Sequence, residues 1–337
     1  MPAAFDQFPK VDLHVHLEGT ITPRMARVIA DRNNVVLSPA LVGDGAHFHW
    51  PSAATPQENL VSFLKAYDEA TAVMKRAEDY ADITYDYLSR SAAEGCIYAE
   101  LTISADHGAM VGLSYLDMLD AIAAGYARAK EETGIEVRMI SSCVRHYGPA
   151  AAMKVAELTR AHPHPLVTAF GMAGDENAHA IADFAPAFDA SGLAHRTAHA
   201  GEASGAETVR QAREILGIRR FGHMVRAIED PTVMDEQVKI AAVPEVCVSS
   251  NLALKVFPDY AAHPLRKFFD AGLKVTLGSD DPSFFGTSIG REYEIARDHF
   301  GFSVAELLQI TRNAIEESFA DAGTRQRLLE KIAAYAA

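Results

Sequence analysis

His14 and His16 stand two residues apart in the run Lys10-Val-Asp-Leu-His-Val-His-Leu-Glu-Gly19. On a β-strand the side chains at i and i+2 leave the same face, so both imidazoles would emerge together at one strand end. Two neutral imidazoles turned towards one point are costly to desolvate unless a cation binds between them. Three further groups with matching chemistry occur downstream: His199-Ala-Gly-Glu202, His223 in Phe221-Gly-His-Met-Val225, and Ser279-Asp280-Asp281-Pro282. His14, His16, His199 and Asp280 offer three nitrogens and one carboxylate oxygen, a set that suits zinc with a position left for water. Such an ion brings the pKa of a bound water towards about 7. Glu202 lies three residues beyond a candidate ligand, placed for acid–base work without binding metal, and His223 and Asp281 flank the same centre. Each motif alone has an ordinary reading as a strand histidine, a turn or a helix cap. Their joint placement is what points to a site.

Strand-like runs are expected at 11–16, 96–104, 136–144, 166–171, 196–199, 220–223, 245–249 and 274–279. They alternate with helical periodicity at 80–93, 114–133, 149–160, 178–190, 206–216, 230–241 and 263–271. Several of the strand runs are almost continuously apolar, as parallel strands covered on both faces are. The alternation predicts an α/β fold, a (β/α)8 TIM barrel with its reactive groups at the C-terminal strand ends. The chemical motifs fall at the ends of strands one, five, six and eight. A doubly wound sheet is the alternative, but no Gly-rich phosphate-binding motif follows a strand. Between strands one and two a long insert, with a Pro/Gly-rich stretch at 38–57 and a helical segment at 58–73, predicts a helical lid over substrate. Segments 304–320 and 324–336 predict C-terminal helices packed outside the barrel, and residues 1–337 read as a single domain.

Composition bounds the partners. The chain of 337 residues carries 31 Lys and Arg against 45 Asp and Glu, a net charge of −14 that disfavours nucleic acid. Cys96, Cys143 and Cys247 form no C-x-x-C pair and lie in apolar stretches, as reduced core cysteines of a cytoplasmic protein do. Neither a leader-like N-terminus nor a membrane-length apolar run is present, so no membrane partner is expected.

Taken together, Lys10–Gly19, Ala173-Gly-Asp175, His199–Glu202, His223 and Ser279–Pro282 resemble the adenosine deaminase family of metal-dependent amidohydrolases, over roughly residues 8–319. The resemblance implies one catalytic zinc on His14, His16, His199 and Asp280. It implies that Glu202 protonates purine N1, that His223 orients and deprotonates the attacking water, that Asp281 hydrogen-bonds N7 and that the Gly174 N–H meets N3. His16 and Glu18 would also face substrate, Glu18 on the ribose side. Attack at C6 drives electrons towards N1, so an acid at N1 is what the transition state needs. Strand four ends Ala169-Phe-Gly-Met172 without the lysine that would bridge two metals, in keeping with one zinc per chain. The expected reaction is hydrolytic deamination of a small 6-aminopurine. Adenosine or deoxyadenosine, giving inosine and ammonia, is the first expectation and adenine, giving hypoxanthine, the alternative. Metal-dependent hydrolysis of a cyclic amide is a third reading, which Glu202 and the missing lysine oppose.

Some residues depart from the family pattern. Glu18 stands where Asp is usual, and Val246-Cys-Val-Ser-Ser-Asn251 with Lys255-Val-Phe-Pro258 resembles adenine deaminase-like members. Met224 and Gly278 replace a usual Gly and Asn and are expected to reshape the pocket. His47-Phe-His49-Trp50 imitates the metal pair but lies in the insert, where a lid or substrate-side role is expected. His162 and His164 read as a turn, and Arg145-His146 ends strand three, as a pocket rim or as a structural pair.

Overall fold

The structure, a computed structural model, describes residues 5–336. Eight parallel strands follow one another around a barrel in sequence order. They are β1 (Lys10–His16), β2 (Cys96–Ser104), β3 (Glu136–Val144), β4 (Val167–Ala173), β5 (His195–Ala200), β6 (Arg220–His223), β7 (Val243–Val246) and β8 (Thr276–Leu277). The barrel closes through a parallel bridge between Val15 and Asp280. There His16 N donates to Asp280 O at 2.9 Å and Asp280 N to His14 O at 2.8 Å. Buried Asp12 clamps the same seam, accepting from Ser279 Oγ at 2.5 Å and from Tyr87 Oη at 2.8 Å.

Two expected boundaries move. The apolar run at 245–249 is not all strand: β7 ends at Val246 and Val248–Ala253 is helix. The carboxylate of Glu292, on helix Ile289–Phe300, accepts from Val248 N at 2.9 Å and so draws that amide out of the ladder. The helix expected at 178–190 is a 3₁₀ turn, Ile181–Phe184, followed by helix Ala185–Ala190. Pro186 sits in the first turn of the latter, where its missing N–H costs nothing.

The insert after β1 holds helices Pro23–Asn33, Pro39–Val42, Pro56–Thr71 and Ala77–Ala93. Thr55 and Glu58 form a capping box that fixes where Pro56–Thr71 begins. Its apolar face, with Phe63 and Tyr67, joins the main hydrophobic cluster of the barrel. The tail does not simply pack outside. Helices Val304–Glu317 and Ala322–Ala336 supply Ile315, Leu328 and Ile332 to a cluster with Val11, Leu13 and Tyr98. Phe319 reaches the barrel floor, where its N–H meets Glu100 and the buried Arg220 guanidinium lies 3.7 Å from its ring centroid. The three cysteines are free and buried. Among the described residues no helix is long and apolar enough to cross a membrane.

Candidate active site

At the C-terminal end of the barrel, β1, β5 and the residue after β8 bring four side chains to one point. His14 Nε2 lies 3.1 Å and His16 Nε2 3.3 Å from His199 Nε2. Asp280 Oδ1 is 3.5 Å from His14 Nε2 and 3.3 Å from His16 Nε2. Facing nitrogens at such separations need something between them. Ligands about 2.0–2.1 Å from a tetrahedral zinc lie roughly 3.3–3.4 Å apart, so the four donors fit that ion. The rings are also turned for it. His14 Nδ1 lies 2.7 Å from Glu245 Oε2 and His199 Nδ1 3.1 Å from Met172 O, so each Nδ1–H has an acceptor and each Nε2 lone pair faces the cluster. Arg220 pairs with the other Glu245 oxygen and with Glu100. Burial alone would raise the Glu245 pKa, but Arg220 and then His14 hold it below the usual value.

Glu202, His223 and Asp281 surround the cluster, and all three are buried. Glu202 Oε1, His223 Nε2 and Asp281 Oδ1 are buried polar atoms with no hydrogen-bond partner in the protein. Buried polar atoms are normally satisfied, so three orphans around one cavity are groups kept for a ligand. Burial first, then the charges of Asp280 and Glu176, raise the Glu202 carboxyl well above the carboxylate range. Burial lowers the His223 ring to about 3. Burial and then Asp280 raise Asp281, whereas hydrogen bonds from His14 and His16 hold Asp280 well below the usual value despite burial. His223 and Asp280 have φ of 62° and 60°, a sparsely populated region for residues with a side chain.

His16, His199, Glu202, His223, Asp280 and Asp281 line one cavity that opens to solvent. The insert helix Pro56–Thr71 forms one wall with Phe63, Leu64, Tyr67 and Asp68. Glu18 and Gly174 line the cavity as well, as do His107 and His146. Gly174 has φ of 95°, and a Cβ there would fall 2.7 Å from His146 Nδ1, so the backbone can pass this close only as glycine. Gly19 is required for a like reason, since a Cβ would lie 1.9 Å from Asp281 Oδ1.

Several supporting residues were not legible in the sequence. Glu176 accepts from Glu202 N at 3.1 Å and Ser204 N at 2.7 Å, which fixes the loop carrying Glu202. Asp68 lines the cavity, and Asn251 Nδ2 lies 3.2 Å from His223 Nδ1 with His263 behind it. The decoys resolve differently. Phe48 is the anchor of the His47–Trp50 segment, buried against Phe284 at 4.7 Å between centroids. His47 and His49 border separate surface depressions and do not line the cavity. Met224 and Gly278 do not line it either. Met224 is buried beside Gly201, and a Cβ on Gly278 would lie 2.6 Å from His14 Cβ, so that glycine lets β8 pass behind a metal histidine. Of Arg145-His146, the histidine reaches the cavity and the arginine donates to Ala178 O and His179 O.

The model of the adenosine deaminase family matches residues 9–335. The chain belongs to that family. A relative from Sinorhizobium medicae named adenine deaminase is 45% identical over 323 residues, covering 95% of this chain and 97% of its own. The crystal structure of adenine deaminase from Arthrobacter aurescens superposes with a TM-score of 0.86 at 28% identity, covering 97% of this chain and 99% of that one. A Burkholderia ambifaria amidohydrolase with bound zinc superposes at 0.87 with 26% identity, covering 98% and 92%. As a member of the adenosine deaminase family the chain is a metal-dependent hydrolase of a C–N bond in a purine amidine. Of the two substrates expected from sequence, adenine is the one that the names of these relatives carry.

Proposed function

We propose that this chain hydrolyses the 6-amino group of free adenine, giving hypoxanthine and ammonia, with residues 1–337 acting as one catalytic domain. The observation that carries the reading is the set of orphaned polar atoms, Glu202 Oε1, His223 Nε2 and Asp281 Oδ1, placed around the four donors His14, His16, His199 and Asp280. His14, His16, His199 and Asp280 would hold one divalent ion, zinc by the donor set, which when bound supplies Lewis acidity and lowers the pKa of water. Glu202 donates a proton to N1 as water oxygen adds at C6 and the C6–N1 π-electrons move to N1. Asp281 hydrogen-bonds N7 and the Gly174 N–H meets N3, so that two edges fix the ring for attack on one face. A carboxylate within reach takes the first proton of the water and passes it to the 6-amino nitrogen. The C6–N6 bond then breaks with its electron pair leaving on ammonia, while C6=O forms and the hydroxyl proton returns to Glu202. His16, one of the four donors, also lines the cavity and would face the bound ring.

Two features support a free base. Among the described residues the cavity lining has no lysine or arginine, so nothing there neutralises a phosphate and a nucleotide is disfavoured. On the side away from the metal donors, Asp68 of the insert helix meets His107 Nε2 at 3.2 Å and Tyr147 Oη at 3.4 Å. With N1 at Glu202 and N7 at Asp281, a sugar on N9 would have to pass this bridge. Glu18 is buried next to it with Oε1 accepting from Ser104 N at 3.1 Å, which leaves a carboxylate oxygen to accept the N9–H of adenine. Insert helix Pro56–Thr71, closing over the base, acts as the lid. Spectrophotometric comparison of adenine and adenosine turnover by the zinc-loaded protein tests the reading. A larger kcat/KM for adenine is expected, and a larger value for adenosine overturns it.

A further inference from the structure

Behind His223, away from the cavity, lies a chain of hydrogen bonds that the reaction does not touch directly. Leu265 N is 3.3 Å from His263 Nδ1, His263 Nε2 is 3.1 Å from Asn251 Oδ1, and Asn251 Nδ2 is 3.2 Å from His223 Nδ1. All three polar side chains are buried, with Asn251 fully enclosed. The direction of each bond is dictated by its neighbour. A backbone N–H can only donate, so His263 Nδ1 must accept. Burial lowers the His263 pKa to about 3, and a neutral ring carries one proton, here on Nε2. That Nε2–H donates to Asn251 Oδ1, which turns the amide N–H2 of Asn251 towards His223. His223 Nδ1 has therefore to accept. The reverse orientation would set an N–H against an N–H in a buried site and leave a donor unsatisfied there.

We infer that the Leu265–His263–Asn251 chain locks His223 in the Nε2–H tautomer, so that His223 faces the reacting centre as a hydrogen-bond donor and not as the base. Nε2 is the orphaned atom of this ring, 3.5 Å from Glu202 Oε2 and 3.9 Å from Asp280 Oδ2. An N–H aimed between two carboxylates has no lone pair to offer a metal, which sets His223 apart from the three metal histidines although its ring lies 4.9–5.0 Å from those of His14 and His199. It also has none with which to take a proton from water. Its N–H instead orients the attacking oxygen and stabilises the oxygen as it adds to C6. The proton released by that water passes to the carboxylate of Asp280, while the oxygen electron pair forms the C–O bond. Asn251 and His263 are positioning residues that act through His223. The inference rests on the reading that His223 faces the reacting carbon, but not on which purine is bound.

Ring 15N shifts separate a protonated from a bare imidazole nitrogen and need no substrate. We expect protonated Nε2 and bare Nδ1 for His223 in the zinc-loaded protein, its signals assigned by their loss in His223→Ala. In Asn251→Asp the new carboxylate accepts from Nδ1–H, so the tautomer should swap. Zinc content should be kept while kcat falls by at least ~10-fold, the lower end for losing one preorganised donor. A wild-type spectrum with bare Nε2 overturns the inference, and that spectrum decides alone if the variant does not fold. A swapped tautomer with unchanged kcat overturns the donor role. Failure of the adenine reading would show separately, as a preference for adenosine with the His223 spectrum unaltered.

Discussion

Glu245 Oε2 lies 2.7 Å from His14 Nδ1, and the other oxygen of the same carboxylate is paired with Arg220. The metal face of the barrel is thus tied to its floor by one buried residue. A carboxylate behind a ligating imidazole fixes the ring and raises its basicity, and losing such a partner costs about 10–100-fold in metal affinity. Glu245→Gln is expected to weaken zinc binding on this scale, measured by chelator competition. Unchanged affinity would show that ring packing alone orients His14.

Glu202 touches no metal donor that it could replace, and its loop is held independently by Glu176. Glu202→Gln is expected to keep its zinc and to bind product, yet to lose at least ~10²-fold in kcat, the scale of a positioned acid. Metal loss equal to the activity loss, seen by elemental analysis, would make Glu202 a ligand instead.

Asp68 holds the bridge to His107 and Tyr147, and its own side chain is half exposed, so its removal should not cost the fold. Asp68→Ala is expected to raise the ratio of adenosine to adenine kcat/KM by about 10-fold or more, the scale of one hydrogen-bonded contact to a charged group. An unmoved ratio would place the selectivity elsewhere in the cavity.

Glu292 gives the pH dependence of the fold itself. Burial raises its pKa from 4.5 to about 7, against the lowering effect of Ser249, Thr287 and the Val248 amide. The native state holds this proton more tightly than the unfolded chain. The stabilisation is therefore fully present below pH 4.5 and is lost as pH rises through about 7. The swing is on the order of 3 kcal/mol. Denaturant midpoints between pH 5 and 8.5 should fall for the native chain and fall less for Glu292→Gln. Parallel curves for the two proteins would count against this assignment.

The barrel was legible because several of its strands are buried on both faces and read as nearly continuous apolar runs, and the donors were legible because they punctuate strand ends. His14 and His16 need only the two-residue period of a strand to be placed together. Other parts depend on contacts made only in the fold. The end of β7 is set by Glu292, which stands 44 residues from Val248, and nothing local in a Val-Cys-Val run announces a helix. Asn251 and His263 meet His223 only because the loops after β6 and β7 adjoin. Phe319 looked like one more apolar residue of an outer helix until Glu100 and Arg220 gave it a place on the floor. Glu245 did leave a trace, as a lone charge in an otherwise apolar strand. His47 and His49 share the spacing of the β1 pair but flank the buried Phe48 and do not line the cavity, so the substrate-side role expected of them is not seen.

The seam between β1 and β8 is stitched by the backbone of His14, His16 and Asp280, the same residues whose side chains form the donor cluster. Those partners come from opposite ends of the chain. During synthesis the first histidines leave the ribosome long before their aspartate exists, so the emerging chain cannot yet bind metal as the finished site does. Long-range pairing of this kind is slow to form and leaves strand edges open in the meantime. Ring closure and completion of the metal site are then one event, and an ion available at that moment helps to fasten the barrel shut.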